Sequence, residues 1–495
     1  MILSKIRITI DAKSNKISKI TSIADGIEIE KANVIKKFPR NTFVMPGFVD
    51  SHIHFFGVGE VSLMPNLSDC CSEDDIIDKI KTSSFRRGDW IVGFGWNQEN
   101  FRNKQYPHKS KLDKAFPNAP VYLKRIDGHS ALINSFAEKI IGINNKTPNP
   151  LGGIIQRDEN NNLTGILIDN AIELVQSKLP FYSPTQIQEI TKISESILTK
   201  MGITEIYDMD FYPDLYDYFL LNGNKFKLRI NSFVKSQNDE WKGICKVPLK
   251  KKMWKLIGFK YYLDGALGSR GASLLEKYND AETYGLDLLS NEVILEKTRE
   301  ALNQNLSIAV HAIGDKANLI ALQTFSLFPR HRNKLRIEHC QIIREKDLKY
   351  LRNGNIICSV QPIHFVSDTL SNMAVERIGK YRMQDAYRWR SLIDAGATLV
   401  AGSDAPIESA NPFFGLEAFV SSNNQKELLS LNEALDSYIS NPHRIYKQKR
   451  GKIEVGYDAD FIIIDNNFTE NPKSISKTNV LSTIINGNFV TNNGQ

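Results

Sequence analysis

The stretch Pro46-Gly47-Phe48-Val49-Asp50-Ser51-His52-Ile53-His54 decides how this chain is read. Its composition is that of a buried β-strand, and it closes on two imidazoles set two residues apart. Side chains alternate faces along a strand, so Phe48, Asp50, His52 and His54 are expected on one side while Val49 and Ile53 pack on the other. Such a pair of imidazoles can hold a metal ion, although two ordinary polar side chains would give the same letters. What lies elsewhere in the chain decides between these readings.

Four further apolar runs each end in a polar residue: Leu256-Ile-Gly-Phe-Lys260, Leu306-Ser-Ile-Ala-Val-His311, Leu335-Arg-Ile-Glu-His339 and Thr398-Leu-Val-Ala-Gly-Ser-Asp404. The middle of the chain alternates runs of this kind with amphipathic stretches, the pattern of parallel strands joined by crossover helices. Candidate strands end at His54, near Arg125, near Asp208, at Lys260, at His311, at His339, near Gln361 and at Asp404. Several spacings are close to the roughly 30 residues per βα unit of an eight-stranded barrel of about 250 residues. The excess length falls mostly between His54 and Met201 and is assigned to an insertion over the barrel mouth. Both chain ends carry short alternating runs, with turn signals at Ser14-Asn15 and Asp25-Gly26, and are expected to pair with each other. The expected fold is α/β: a (β/α)8 TIM-like barrel over residues 47–447 with an insertion at about 60–200 after the first barrel strand. A small composite β-sandwich domain, built from residues 1–46 and 448–495, completes it.

The 495 residues include 63 basic and 56 acidic side chains, a formal charge of +7. Apart from Lys250, Lys251 and Lys252 the lysines are scattered, which reads as a solvated surface and not as a nucleic-acid stripe. No run of about eighteen apolar residues occurs, and the opening MILSKIRITIDAKSNK lacks the apolar stretch and cleavage site of a leader. A cytoplasmic protein with no membrane and no nucleic-acid partner is the expectation. Periodicity fixes no oligomeric state, so a homo-oligomer stays open. The five cysteines, at 70, 71, 245, 340 and 358, show no C-x-x-C spacing and read as reduced thiols.

In a (β/α)8 barrel the C-terminal strand ends converge on one mouth, so His52, His54, Lys260, His311, His339 and Asp404 are expected to face one another. Nitrogen and oxygen donors suit zinc and similar divalent ions, and an incomplete protein shell leaves room for water. Each residue alone has a plainer reading. A buried histidine can be a hydrogen-bonded core residue, Lys260 can pair with Asp264, and Asp404 before Ala405-Pro406 can be a turn former or helix cap. Those plain readings must all coincide at strand ends in barrel order, which makes them the poorer account.

The ordered set HxH, Lys, His, His, Asp resembles the amidohydrolase superfamily of metal-dependent hydrolases. Gly93-Phe-Gly-Trp96-Asn, Asp127-Gly-His129-Ser-Ala-Leu-Ile-Asn134, Lys260-Tyr-Tyr-Leu-Asp264-Gly-Ala-Leu-Gly-Ser-Arg270, His311-Ala-Ile-Gly-Asp315, Gln361-Pro-Ile-His364 and Gly402-Ser-Asp404-Ala-Pro resemble its YtcJ-like branch, amidohydrolase family 3. That branch includes N-substituted formamide deformylases. The likeness runs nearly the whole chain, through Gly456-Tyr-Asp-Ala-Asp460.

The resemblance implies a hydrolase of C–N bonds in amides, formamides or cyclic amides, acting on a small-molecule amide with one or two divalent ions, zinc foremost. His52 and His54 would bind one ion and His311 and His339 a second. A protonated ammonium cannot be a ligand, so Lys260 would need a lowered pKa and carboxylation by carbon dioxide, becoming an N6-carboxylysine that bridges the ions. Asp404 would join the metal site and act as general base, passing a proton from water to the leaving amine. His364 and His129 are the candidate donors to the oxyanion. Trp96, with Phe94, would wall the substrate pocket, with core packing as the alternative. Arg270 would bind an anionic substrate group or else pair with a nearby acid. Two positions depart from the branch pattern, Tyr207 where relatives often carry histidine and Ser440-Asn-Pro-His443-Arg in a late helix. The rival reading is a non-catalytic binding or scaffold protein that kept the barrel; such relatives lose ligands, and here the set is complete.

Overall fold

The computed structural model describes residues 2–150, 152–238, 241–329, 331 and 334–492. Eight parallel strands make the barrel: β1 (Phe48–Ile53), β2 (Ile203–Phe211), β3 (Arg229–Lys235), β4 (Trp254–Tyr262), β5 (Ser307–Ala312), β6 (Leu335–His339), β7 (Ile356–Val360) and β8 (Thr398–Ala401). They pair in chain order from β1 to β8. The run ending at Arg125 is not among them. Val121–Arg125 belongs to a separate sheet, so the strand at Asp208 comes second and the count of eight is completed by β3 after it. The sequence Arg-Ile-Asn-Ser-Phe-Val-Lys hides β3 because two buried polar residues interrupt its apolar run. Asn231 Nδ2 donates to Glu205 at 2.7 Å and Ser232 Oγ to Asp208 at 2.9 Å, both acceptors on β2.

The barrel closes between β1 and β8 through a seam of single contacts. Asp404 N–H donates to the His52 carbonyl at 2.7 Å and His54 N–H to the Ala405 carbonyl at 2.9 Å. Asp50 accepts from the Ser403 amide at 3.1 Å and from its hydroxyl at 2.6 Å. The chains approach so closely that a Cβ on Gly402 would lie 2.3 Å from the His52 nitrogen. Gly402→Ala is therefore expected to force the seam apart and cost about 3 kcal/mol, read as a loss of Tm and of metal content together.

The strict alternation expected along β1 does not hold. Phe48 packs against Phe413 with ring centroids 5.2 Å apart, while Val49 sits with Tyr207, Phe233 and Ala309 in another cluster. Asp50 pairs with Ile206 but Ile53 with Asp208, so β1 carries one extra residue between them. A bulge of this kind reverses the facing of the residues beyond it, and here it takes in Ser51 and His52 and precedes His54.

The segment between β1 and β2 holds a six-stranded sheet, with strands in the order Gly153–Arg157, Leu163–Asp169, Ser130–Ile133, Val121–Arg125, Trp90–Trp96 and Arg86–Arg87. The two chain ends supply two four-stranded sheets. Phe43–Pro46 pairs with Phe461–Ile464, and Ile8, Ile10, Ile27 and Ile29 share one core with Val44, Phe461, Ile463 and Ile484. Among the described residues no helix is long and apolar enough to cross a membrane.

Buried ion pairs fasten this terminal unit to the barrel. Arg229 donates to Asp460 at 2.7 Å and Arg450 to Glu205 at 2.8 Å, while within the terminal unit Asp458 steadies Arg450 at 2.9 Å. Burial disfavours charge on Glu205, but Arg450, His443, Lys255 and Arg229 outweigh it and hold the carboxyl well below the usual range. A depressed carboxylate contributes stability that is complete above its unfolded-state value and is lost as pH falls through the folded one. Glu205→Gln should accordingly be less stable than the parent at pH 7 and lose less further stability below about pH 4, as thermal unfolding at several pH values will show.

Candidate metal centre

His52, on β1, is fully buried. Its Nδ1 lies 2.7 Å from Glu338 Oε2, and since a carboxylate only accepts, Nδ1 carries a proton, which in the neutral ring leaves the lone pair on Nε2. That Nε2 is 3.4 Å from Asp404 Oδ1, and His54 Nε2 is 3.1 Å from the same oxygen. Asp404 follows β8, and His54 opens the helix Phe55–Leu63. Both His52 Nε2 and Asp404 Oδ1 are buried and make no hydrogen bond within the protein. Buried polar atoms are nearly always paired, so two converging acceptor atoms without a donor between them fit a cation.

A second set adjoins the first. His364 Nε2 is 3.6 Å from Asp404 Oδ2, and the rings of His364 and His339 stack at 5.9 Å. His339 Nδ1 and His364 Nε2 are also buried without hydrogen bonds. In each trio, His52–His54–Asp404 and His339–His364–Asp404, the ligand atoms lie within 4.8 Å of one another. Asp404 belongs to both. His311 adjoins through its ring, 4.5 Å from that of His339, and its Nδ1 is 3.0 Å from Asp264 Oδ1.

Burial and the neighbouring Lys260 and His129 hold His311 well below the ordinary imidazole value, and burial with the neighbouring His311 and His52 does the same for His339. Neutral imidazoles are the ligating form. Burial disfavours ionisation of Asp404, but the neighbouring His52, His54 and His339 outweigh it and hold the carboxyl well below the usual range. Lys260, on β4, is 1% exposed, and burial lowers its pKa although Glu338, Asp210 and Asp404 oppose the shift. Two of these residues sit on strained backbone, with φ of 72° at His339 and 61° at Asp404. Strain of about 1–3 kcal/mol per residue persists where the surroundings over-determine a site.

The remaining residues singled out from the sequence fall in varied places. Lys260 does not pair with Asp264, whose carboxylate takes His311 Nδ1–H and the amides of Ser273, Ile313 and Gly314. Trp96 walls no pocket: it is fully buried in the core of the insertion with Leu67, Ile76 and Leu132, and its indole N–H donates to the Leu123 carbonyl at 2.8 Å. Arg270 pairs with Asp280 at 2.8 Å, the second of its two expected fates. His129 reaches over from the insertion, its ring 6.2 Å from that of His311 and its Nδ1 2.8 Å from Asp169 Oδ1. His364 lies in the first turn of the helix Pro362–Leu370. Tyr207 is fully buried, stacked on Tyr446 at 5.1 Å, with the Arg336 guanidinium over its ring. His443 is buried with Nδ1 3.0 Å from Gln448 Oε1. Sequence reasoning missed Glu338 and Arg336, which pair at 2.9 Å. The signal was present, since two charges of opposite sign sit on alternate positions of a strand ending in a histidine.

Residues 40–491 match the profile of the amidohydrolase family, and the chain belongs to that family. It is an enzyme that hydrolyses carbon–nitrogen bonds. It is 34% identical to YtcJ of Bacillus subtilis (strain 168), described as an amidohydrolase, over 90% of this chain and 88% of that one. The N-substituted formamide deformylase of Arthrobacter pascens is 23% identical over 85% of this chain and 83% of its own. Among solved structures, an uncharacterized metal-dependent hydrolase of Pyrococcus horikoshii OT3 superposes with a TM-score of 0.73 at 25% identity, covering 93% of this chain and 98% of that one.

Proposed function

We propose that the protein is a metal-dependent amidohydrolase that attacks the carbonyl of an amide, formamide or cyclic amide with water, Asp404 serving as general base and then general acid. The observation that carries this reading is the pair of buried acceptor atoms without hydrogen bonds, His52 Nε2 and Asp404 Oδ1, set 3.4 Å apart. His52, His54 and Asp404 would hold one divalent ion, zinc foremost, and His311 and His339 a second, with Lys260 carboxylated between them. The stacked His364 is a further candidate ligand beside its role as donor to the oxyanion. A bound ion supplies Lewis acidity and water that ionises near neutral pH. Asp404 takes the proton of the attacking water and returns it to the leaving nitrogen, a transfer its depressed pKa permits because it stays ionised between turnovers. Burial favours the neutral amine of Lys260, the form that carboxylation needs. The likeness to a formamide deformylase supports N-formyl amines among the substrates.

Elemental analysis of the purified protein, with a panel of N-acyl and N-formyl amines, tests this. One or two equivalents of a divalent ion are expected. Chelation should take turnover to background, and zinc should restore it. Full activity in metal-free protein would refute the reading, and metal-loaded protein inert on every amide would favour the binding or scaffold alternative.

A further inference from the structure

Resting on the reading above, we propose that the insertion contributes a third histidine–carboxylate pair to the metal site, beside His52–Glu338 and His311–Asp264, in which His129 contacts the substrate and Asp169, Gly265 and Gly271 are positioning residues that act only through it. Two such pairs stand side by side. In the barrel, Asp264 holds His311 by Nδ1 at 3.0 Å; in the insertion, Asp169 holds His129 by Nδ1 at 2.8 Å. The two rings are 6.2 Å apart, and the His129 side chain stays 26% exposed where His311 is 4% exposed. A carboxylate on Nδ1 fixes the ring's orientation and leaves Nε2 for a partner outside the pair. His129 thus has the set orientation of a ligand histidine and the access of a substrate contact.

Asp169 is itself held with unusual care. Its amide donates to the His129 carbonyl at 2.9 Å while its carboxylate takes the ring of the same residue. Its backbone is strained, with φ 48° and ψ −124°. Its carboxylate is seated between two glycines of the loop that follows β4. A Cβ on Gly265 would lie 2.9 Å from Oδ1, and one on Gly271 would lie 2.9 Å from Oδ2. The loop closes on itself through Gly265 N–H to the Gly271 carbonyl at 3.0 Å and Gly271 N–H to the Ala266 carbonyl at 2.8 Å, so it cannot yield easily. Asp169 Oδ2 is buried with no hydrogen-bond donor. The same short loop starts with Asp264, the partner of His311. One loop therefore sets two histidines, one from the barrel and one from the insertion, and Asp-Gly-Ala-Leu-Gly-Ser-Arg-Gly needs its first and last glycines because a side chain there would displace the second carboxylate.

The test has two arms. In kinetics, His129→Gln and Asp169→Asn are each expected to lower kcat/KM by about 10- to 100-fold with metal content and Tm retained. The double variant should be no worse than His129→Gln alone, because a residue acting only through another adds nothing once that other is gone. Losses that multiply, or a silent Asp169→Asn, would overturn the proposal. In the second arm, 15N-histidine NMR follows the His129 Nδ1–H resonance in the parent, Gly265→Ala and Gly271→Ala proteins. It should be present in the parent and lost in both variants; persistence in either variant would overturn the clamp. The resonance needs no substrate. A parent without turnover would sink the proposed function, while the NMR arm would still decide the clamp.

Discussion

Asp404→Asn is expected to lower kcat by about 10²- to 10⁴-fold while Tm and metal content stay close to the parent's. The substitution changes one atom. The backbone N–H of residue 404 still donates to His52, so the seam stays closed. Asparagine tolerates the left-handed φ of 61° as well as aspartate does, so no strain is added. The remaining carbonyl oxygen can still face His52 and His54, but the amide cannot accept a proton from water. Steady-state kinetics, elemental analysis and thermal unfolding of the two proteins side by side check this. A variant that turns over at the parent rate would remove Asp404 from the chemistry, and one that fails to fold would recast it as a closure residue alone.

Glu338→Gln should have the largest effect on stability. Glu338 and Arg336 are 0% and 1% exposed, and the same carboxylate takes His52 Nδ1–H. Removing one charge of a buried pair leaves the other unpaired, at a cost of about 3–5 kcal/mol, or on the order of 10 °C in Tm. With His52 the proposed ligand, losing the carboxylate behind it should also weaken metal affinity by about 10- to 100-fold. Isothermal titration of the metal-free protein with zinc measures the second effect. If the stability loss comes from the stranded guanidinium, Arg336→Met should recover part of it in the double variant. No recovery would mean that the loss comes from His52 instead.

The barrel was legible because seven of its strands carry, within three residues of their ends, a residue whose chemistry stands out against an apolar run, as His311 and Asp404 do. β3 was not, since Asn231 and Ser232 look like loop residues until Glu205 and Asp208 are seen beside them. Val121–Arg125 was mistaken for a barrel strand for the converse reason. It pairs in parallel with Trp90–Trp96 and is buried, so it carries the marks of a βα unit while lying in another sheet. The same limit applied to the site. His52, His54, His311, His339 and Asp404 stood out by type and spacing. For Trp96 the pocket-wall and core readings both stayed open, because a tryptophan beside a glycine looks alike in a core and at a rim, and the structure places it in the core. Asp169 went unseen and Asp264 was weighed only as a partner for Lys260, because a carboxylate that orients a histidine is not marked by its distance along the chain from that histidine.

The joint between Asp50 and Ser403, partners 353 positions apart in the chain, has a consequence for how the enzyme is held together. His52 and His54 belong to the first stave of the barrel and Asp404 to the last, so a cation held as proposed by all three would rivet the two staves across the junction that lacks a ladder of backbone bonds. Loading at a thousand times Kd would add about 4 kcal/mol to the closed form. Hydrogen exchange at the amides of 52, 54, 403 and 404 should slow on loading more than anywhere else in the hoop, and stripping the ion should loosen that junction first.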